Sequence, residues 1–194
     1  MQVLYHYAAG PHLQRRLAEL THDGLDVSVC SERDDDRFTA LLPETQVIWH
    51  CLRPLDATHL DAAPRLRLIQ KIGVGVNTID LEAARARDIA VCNMPGTNSR
   101  AVAEQTLALM LAVLRRLPVF DSLVRAGHGW DRDPGIDDEL GELAGRTVGL
   151  VGAGSVPQLL APILRAMGAR ICWTARSERP EAIGEYLPLD ELLA

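Results

Sequence analysis

Residues 145–157 read GRTVGLVGAGSVP, and this stretch decides the fold. An apolar strand over 147–151 runs into Gly152-Ala153-Gly154, and a helical pattern over 159–167 follows. A strand that turns on closely spaced glycines into a helix is suited to holding a dinucleotide. The first glycine permits the tight turn. The second lets the backbone approach a pyrophosphate seated on the positive end of the helix. A complete domain of this kind carries about six strands, whereas only two can be read between Gly145 and Ala194.

Upstream, strand and helix signals alternate. Strands are expected at 3–7, 27–30, 47–52, 66–72 and 89–93, with helices at 12–20, 58–62 and 80–87. Thr78 or Asp80 is the expected cap of the last of these helices. Five strands with helical crossovers predict a parallel sheet covered on both faces. Pro95-Gly96 closes that unit. A long helix is expected over 98–117, started by Asn98 or Ser99 and stopped by Pro118, with Val102, Thr106, Leu109 and Val113 along one face. Residues 125–141, rich in Gly, Asp and Pro, read as loop. The fold class is therefore α/β: a parallel-sheet domain over 1–97, then the long helix and the first part of a Rossmann dinucleotide-binding domain over 98–194.

Bulk properties narrow the function. Apolar residues make up 47 % of the chain and aromatics only 4 %, so aliphatic side chains must fill the core. A formal charge of −6 argues against non-specific nucleic-acid binding. The run Asp34-Asp35-Asp36 reads as a solvated loop. Cys30, Cys51, Cys92 and Cys172 form no CxxC pair and lie in or beside apolar runs. They read as buried, reduced thiols in a cytoplasmic protein with no metal site. No signal-peptide pattern opens the sequence, and no apolar run approaches the roughly 20 residues that span a membrane.

Four segments in register resemble the D-isomer-specific 2-hydroxyacid dehydrogenase family: KIGVGVNTID (71–80), CNMPGTNSRAVAEQTLALMLAVLRRL (92–117), GRTVGLVGAGSV (145–156) and LPLDELL (187–193). The resemblance implies a flavodoxin-like substrate domain and a Rossmann cofactor domain. It implies reduction of a small 2-oxo acid to a D-2-hydroxy acid by NADH or NADPH, in a homodimer joined through the cofactor domains. The amides of Val74 and Gly75 would hold the substrate carboxylate, with the charge of Lys71 nearby. Gly152, Gly154, Ser155 and Val156 would cradle the pyrophosphate, and Thr106 matches a position facing the same phosphates. Pro157 stands where the third glycine of the fingerprint is expected, a departure that bears on close helix–strand packing.

The end of the second strand bears on the choice of nucleotide. An acid about 20 positions after the glycines would bind a ribose 2′-hydroxyl. Here the segment reads TARSERPE (174–181), with no acid before Glu178. Arg176 and Ser177 suit a 2′-phosphate, and the segment resembles that of the NADPH-preferring glyoxylate and hydroxypyruvate reductases. NADP is therefore the expected cofactor, with NAD as the alternative.

The chemical step also needs a cation to polarise the substrate and a general acid. The family supplies these with an arginine, a histidine and a glutamate, all beyond the part of its pattern that this sequence covers, so no catalytic residue is assigned. His50, at a strand end, and His128, in a GHGW loop, are the nearest substitutes considered, and neither shows a partner carboxylate in the sequence. The sequence reads as a C-terminally truncated member of the family. Its alternative use is a non-redox binding protein on an inherited scaffold. The short second sheet leaves an unpaired edge, which predicts a homo-oligomer or else disorder towards the C-terminus.

Overall fold

The computed structural model describes residues 1–131, 133–176 and 183–194. The chain forms two compact units, Met1–Thr97 and Asn98–Ala194.

The first unit alternates strand and helix. Its elements are β1 (Gln2–His6), α1 (Pro11–Glu19), β2 (Asp26–Cys30), α2 (Asp35–Leu41), β3 (Val47–His50), α3 (Ala57–Asp61), β4 (Leu68–Lys71), α4 (Leu81–Arg85) and β5 (Ala90–Cys92). All neighbours pair in parallel, in the order β2-β1-β3-β4-β5. This is the flavodoxin-like order, and its switch point lies between β1 and β3. Leu4, Ile48 and Ile69 on the three central strands are fully buried, with Phe38, Leu42, Leu55 and Leu60 packed in the same core. Each such side chain removes enough apolar surface from water to contribute about 1.5–3 kcal/mol.

The acidic run is not a loop. Asp34 caps α2 by accepting the Arg37 amide at 3.1 Å, and Asp35 and Asp36 occupy the first turn, where negative charge suits the helix dipole. Asp80 caps α4 in the same way, accepting the Ala83 amide at 2.8 Å. Cys30 and Cys172 are buried, but Cys51 is half-buried and Cys92 is exposed at the edge of the sheet.

The second unit begins with α5 (Ser99–Leu114), followed by α6 (Leu117–Arg125), α7 (Gly135–Asp138), β6 (Thr147–Val151), α8 (Ser155–Ala166), β7 (Arg170–Thr174), β8 (Glu185–Tyr186) and α9 (Leu189–Leu193). The strands form a parallel sheet in the order β6-β7-β8. The expected long helix forms as α5, ending three residues early, and a further helix, α6, follows it. Arg116 takes a left-handed conformation, φ 52°, between them, and Pro118 opens α6 rather than merely ending α5. Proline fits a first helical turn because its missing N–H has no partner there in any case. A single turn, α7, interrupts the segment expected to be loop.

The apolar face read along α5 is not the one that meets the core of the second unit. Ala103 is buried and Leu107, Met110, Leu111 and Leu114 pack against the core, whereas Val102, Leu109 and Val113 are exposed. Trp173 on β7 lies at the centre of this core. Its Nε1 donates to the Gly184 carbonyl at 3.2 Å, and its ring meets Tyr186 edge-on.

Candidate functional site

The carboxyl edge of the first sheet carries the 73–75 loop. Lys71 ends β4, and Gly73 follows at φ 151°, a conformation that side chains rarely adopt. Two bonds hold the loop from behind. The Met94 amide donates to the Gly73 carbonyl at 2.9 Å, and Asn93 Nδ2 donates to the Val74 carbonyl at 2.8 Å. The amides of Val74 and Gly75 meet no acceptor among the described residues, and both residues are exposed. Anchored carbonyls beside unpaired N–H groups make a concavity suited to an anion.

Lys71 is differently placed from its neighbours in the loop. It is only 7 % exposed. Its ammonium donates to the Cys51 carbonyl and lies 3.3 Å from Thr78 Oγ1 and 3.4 Å from His50 Nδ1. The charge thus ties the loop after β3 to the loop after β4. Burial holds its pKa below the ordinary lysine value. His50 is fully buried and its Nε2 meets the Arg53 carbonyl. Burial, with the Lys71 charge as a smaller contribution, lowers its pKa, so the imidazole stays neutral at Nδ1 beside the ammonium.

Sequence reasoning missed His6. It sits one strand from His50 in register, is buried, and stacks on Phe38 with ring centroids 3.9 Å apart. Neither ring nitrogen has a partner. Burial and the nearby His50 and Arg53 push its pKa down to about 4. Its pairing with His50 follows from strand register alone, the one signal that could have found it. His128, by contrast, lies 3.8 Å from the Asp131 carboxylate with both side chains exposed.

In the second unit, β6 ends at Val151 and Gly152 turns with φ 105°. The Gly152 amide donates to the Thr174 carbonyl at 2.7 Å, fixing the turn to the end of β7. Gly154 is the extended N-cap of α8, with no side chain satisfying the helix start. A Cβ on Gly152 or Gly154 would meet nothing within 4 Å, so the space in front of the turn is open. Ser155 and Val156 occupy the first turn, where amides have no helical acceptor, and Pro157 offers none. The departure at Pro157 does not lift the helix from the sheet, because Leu160, Ala161 and Leu164 stay buried. These residues fit a pyrophosphate: two free first-turn amides, a serine hydroxyl and the positive helix end.

Thr106 lies on α5 and lines a groove of about 560 Å³ with Leu109, Met110, Val113 and Val148. Its hydroxyl donates back to the Val102 carbonyl at 2.7 Å. Arg176 is exposed just beyond β7. Ser177 lies outside the described residues.

A sequence profile of the D-isomer specific 2-hydroxyacid dehydrogenase, catalytic domain, matches residues 4–184. The chain belongs to this family. A glyoxylate reductase of Aeropyrum pernix is 40 % identical over 186 residues, covering 90 % of this chain and 56 % of the relative. A D-3-phosphoglycerate dehydrogenase of Mycobacterium tuberculosis is 34 % identical over 177 residues, covering 89 % of this chain and 33 % of the relative. The chain thus spans between a third and just over half of these relatives. Among solved structures, the TT0316 protein of Thermus thermophilus aligns over 100 % of this chain and 61 % of its own, with a TM-score of 0.86 and 33 % identity. An NAD-dependent formate dehydrogenase of Staphylococcus aureus, solved with NAD, covers 100 % of this chain and 62 % of its own at TM-score 0.86 and 21 % identity, which speaks for the fold alone. The 2-hydroxyacid dehydrogenases are NAD(P)-dependent oxidoreductases of small 2-hydroxy and 2-oxo acids. Among the described residues of this member, no helix is long and apolar enough to cross a membrane.

Proposed function

We propose that this chain provides the acid-binding loop and the dinucleotide cradle of an NADP-dependent dehydrogenase that reduces a small 2-oxo acid. The first unit is the substrate domain and the second is the start of the cofactor domain. The amides of Val74 and Gly75 hold the substrate carboxylate. Lys71 adds a positive field from beneath the loop, because its ammonium is engaged within the protein. Gly152, Gly154, Ser155 and Val156 hold the pyrophosphate, Thr106 stands on the helix beside this domain's sheet, and Arg176 with Ser177 receives the 2′-phosphate. When bound, the nicotinamide supplies the hydride. What these residues contribute is binding and orientation. The carboxylate is fixed by two main-chain donors, which sets the angle at which the adjacent carbonyl carbon is presented.

The observation that carries this reading is the pair of unpartnered amides at Val74 and Gly75 on a loop whose carbonyls are both tied back. The test is a calorimetric titration of the chain with NADPH and with NADH. Saturable binding, tighter for NADPH and equalised by Arg176→Ala, is expected. Tighter NADH binding overturns the choice of NADP. Binding of neither overturns the cradle and favours the non-redox use of the scaffold.

A further inference from the structure

We propose that the carboxyl edge of the first unit selects acids with a short uncharged tail and rejects their phosphorylated counterparts, because the two cations beside the carboxylate loop, Lys71 and Arg53, are engaged by the protein's own acceptors. The inference rests on the assignment of Val74 and Gly75 to the carboxylate and extends it to the rest of the ligand.

Phosphate recognition asks for free donors with positive charge, above all an arginine fork or an uncommitted ammonium. Two candidates stand at the ends of β3 and β4, beside the carboxylate loop, and both are committed. Lys71 is held by the Cys51 carbonyl and Thr78. Arg53 donates to the Glu32 carbonyl at 2.8 Å and pairs with the Asp35 carboxylate. Arg33 and Arg37 are exposed, but they stand at the start of α2, beyond β2 and β1 from the carboxylate loop in the strand order. His6 and His50 are buried, and their lowered pKa values keep them neutral near pH 7.

Around the start of α2 carboxylates outnumber the two exposed arginines, Arg33 and Arg37. Glu32 follows β2, and Asp34, Asp35 and Asp36 start α2 at the same end of the sheet. A phosphate monoester carries about −1.5 to −2 charges at pH 7 and would face these carboxylates. What the two clamped loops do expose is apolar: Leu52 is 61 % exposed beyond β3, and Ile72 and Val74 are exposed beyond β4. A hydrogen, methyl or hydroxymethyl tail can lie against such side chains, whereas a dianion would have to displace an existing ion pair.

The relatives include enzymes named for both kinds of acid, so the choice is not set by membership of the family. The test uses D-glycerate and D-3-phosphoglycerate, which differ only in the phosphate. The isotope-labelled chain is titrated with each, following the Val74 and Gly75 amide resonances. D-glycerate is expected to move both amides with an affinity at least ten-fold above that of D-3-phosphoglycerate. Equal or tighter binding of the phosphorylated acid overturns the inference and leaves the carboxylate loop standing. If neither acid moves the two amides, the loop assignment falls and the inference with it. Asp35→Asn releases Arg53 at an exposed first-turn position that the helix tolerates. It is expected to improve D-3-phosphoglycerate binding several-fold with D-glycerate unchanged. No change in that ratio would overturn the role given to the engaged cations.

Discussion

At the carboxyl edge of the five-stranded sheet, the polar groups that strand pairing brings together are buried side chains: Lys71, His50 and His6. At the same edge of the three-stranded sheet, the donors are main-chain amides after Gly152, in front of open space. The units differ in their surfaces as well. The first buries the central strands of a completed five-stranded sheet. The second leaves β6 at an edge and exposes Val113 on α5 and Val151 on β6, at 72 % and 71 %. One unit therefore carries chemistry that depends on who its neighbours are. The other carries chemistry that depends on local backbone shape. Mutations should act on the two in different ways.

The largest effect is expected from Trp173→Ala. Emptying the centre of the second core should cost about 3–5 kcal/mol. Amide exchange should show protection lost over β6 to β8 while β1, β3 and β4 keep theirs. Simultaneous loss in both units would break the comparison by showing one cooperative body.

Next in size is an acid sensitivity belonging to the first unit. His6 has a pKa of about 4 in the fold against 6.5 as a free group. Between these values the unfolded chain binds a proton that the fold refuses. Stability is therefore complete above about pH 6.5, falls as the pH drops towards about 4, and levels below that. The loss is of order 3 kcal/mol. His6→Phe keeps a ring on Phe38 and removes the two unpaired nitrogens. It should flatten the profile in urea denaturation, and an unchanged slope would rule out His6 as its source.

Gly152→Ala forces a side chain into a backbone conformation that disfavours it, at about 1–3 kcal/mol. NADPH affinity should fall about ten-fold, with the first unit's stability unaltered. Calorimetry and denaturation together check both halves of that statement. Smallest is Asp34→Ala, which removes the cap of α2 and should cost about 1 kcal/mol, visible as faster exchange at Arg37.

Much of the architecture is legible in the sequence because parallel strands are buried on both faces and read as short apolar runs. Residues 47–50 are an example. The glycine turn is legible because it is a backbone device encoded within a few residues. The three acidic residues mislead, since charge density suggests solvent while an N-cap also demands an acid at that point. Which face of α5 meets the core is not legible, because apolar residues surround much of that helix and spacing alone cannot pick the buried side. The clamp from Lys71 is invisible in sequence. Its acceptors are a backbone carbonyl 20 residues upstream and a hydroxyl 7 residues downstream, joined only when β3 and β4 pair.

The bond from the Gly152 amide to the Thr174 carbonyl has a consequence for how such a chain diversifies. It fastens the turn to the end of β7 through main-chain atoms alone, two residues before Arg176. Side chains beyond β7 can therefore be exchanged without disturbing the turn. On the proposed role of Arg176, preference between nucleotides becomes a trait that drift and selection can rewrite at one address, while the turn itself is inherited intact.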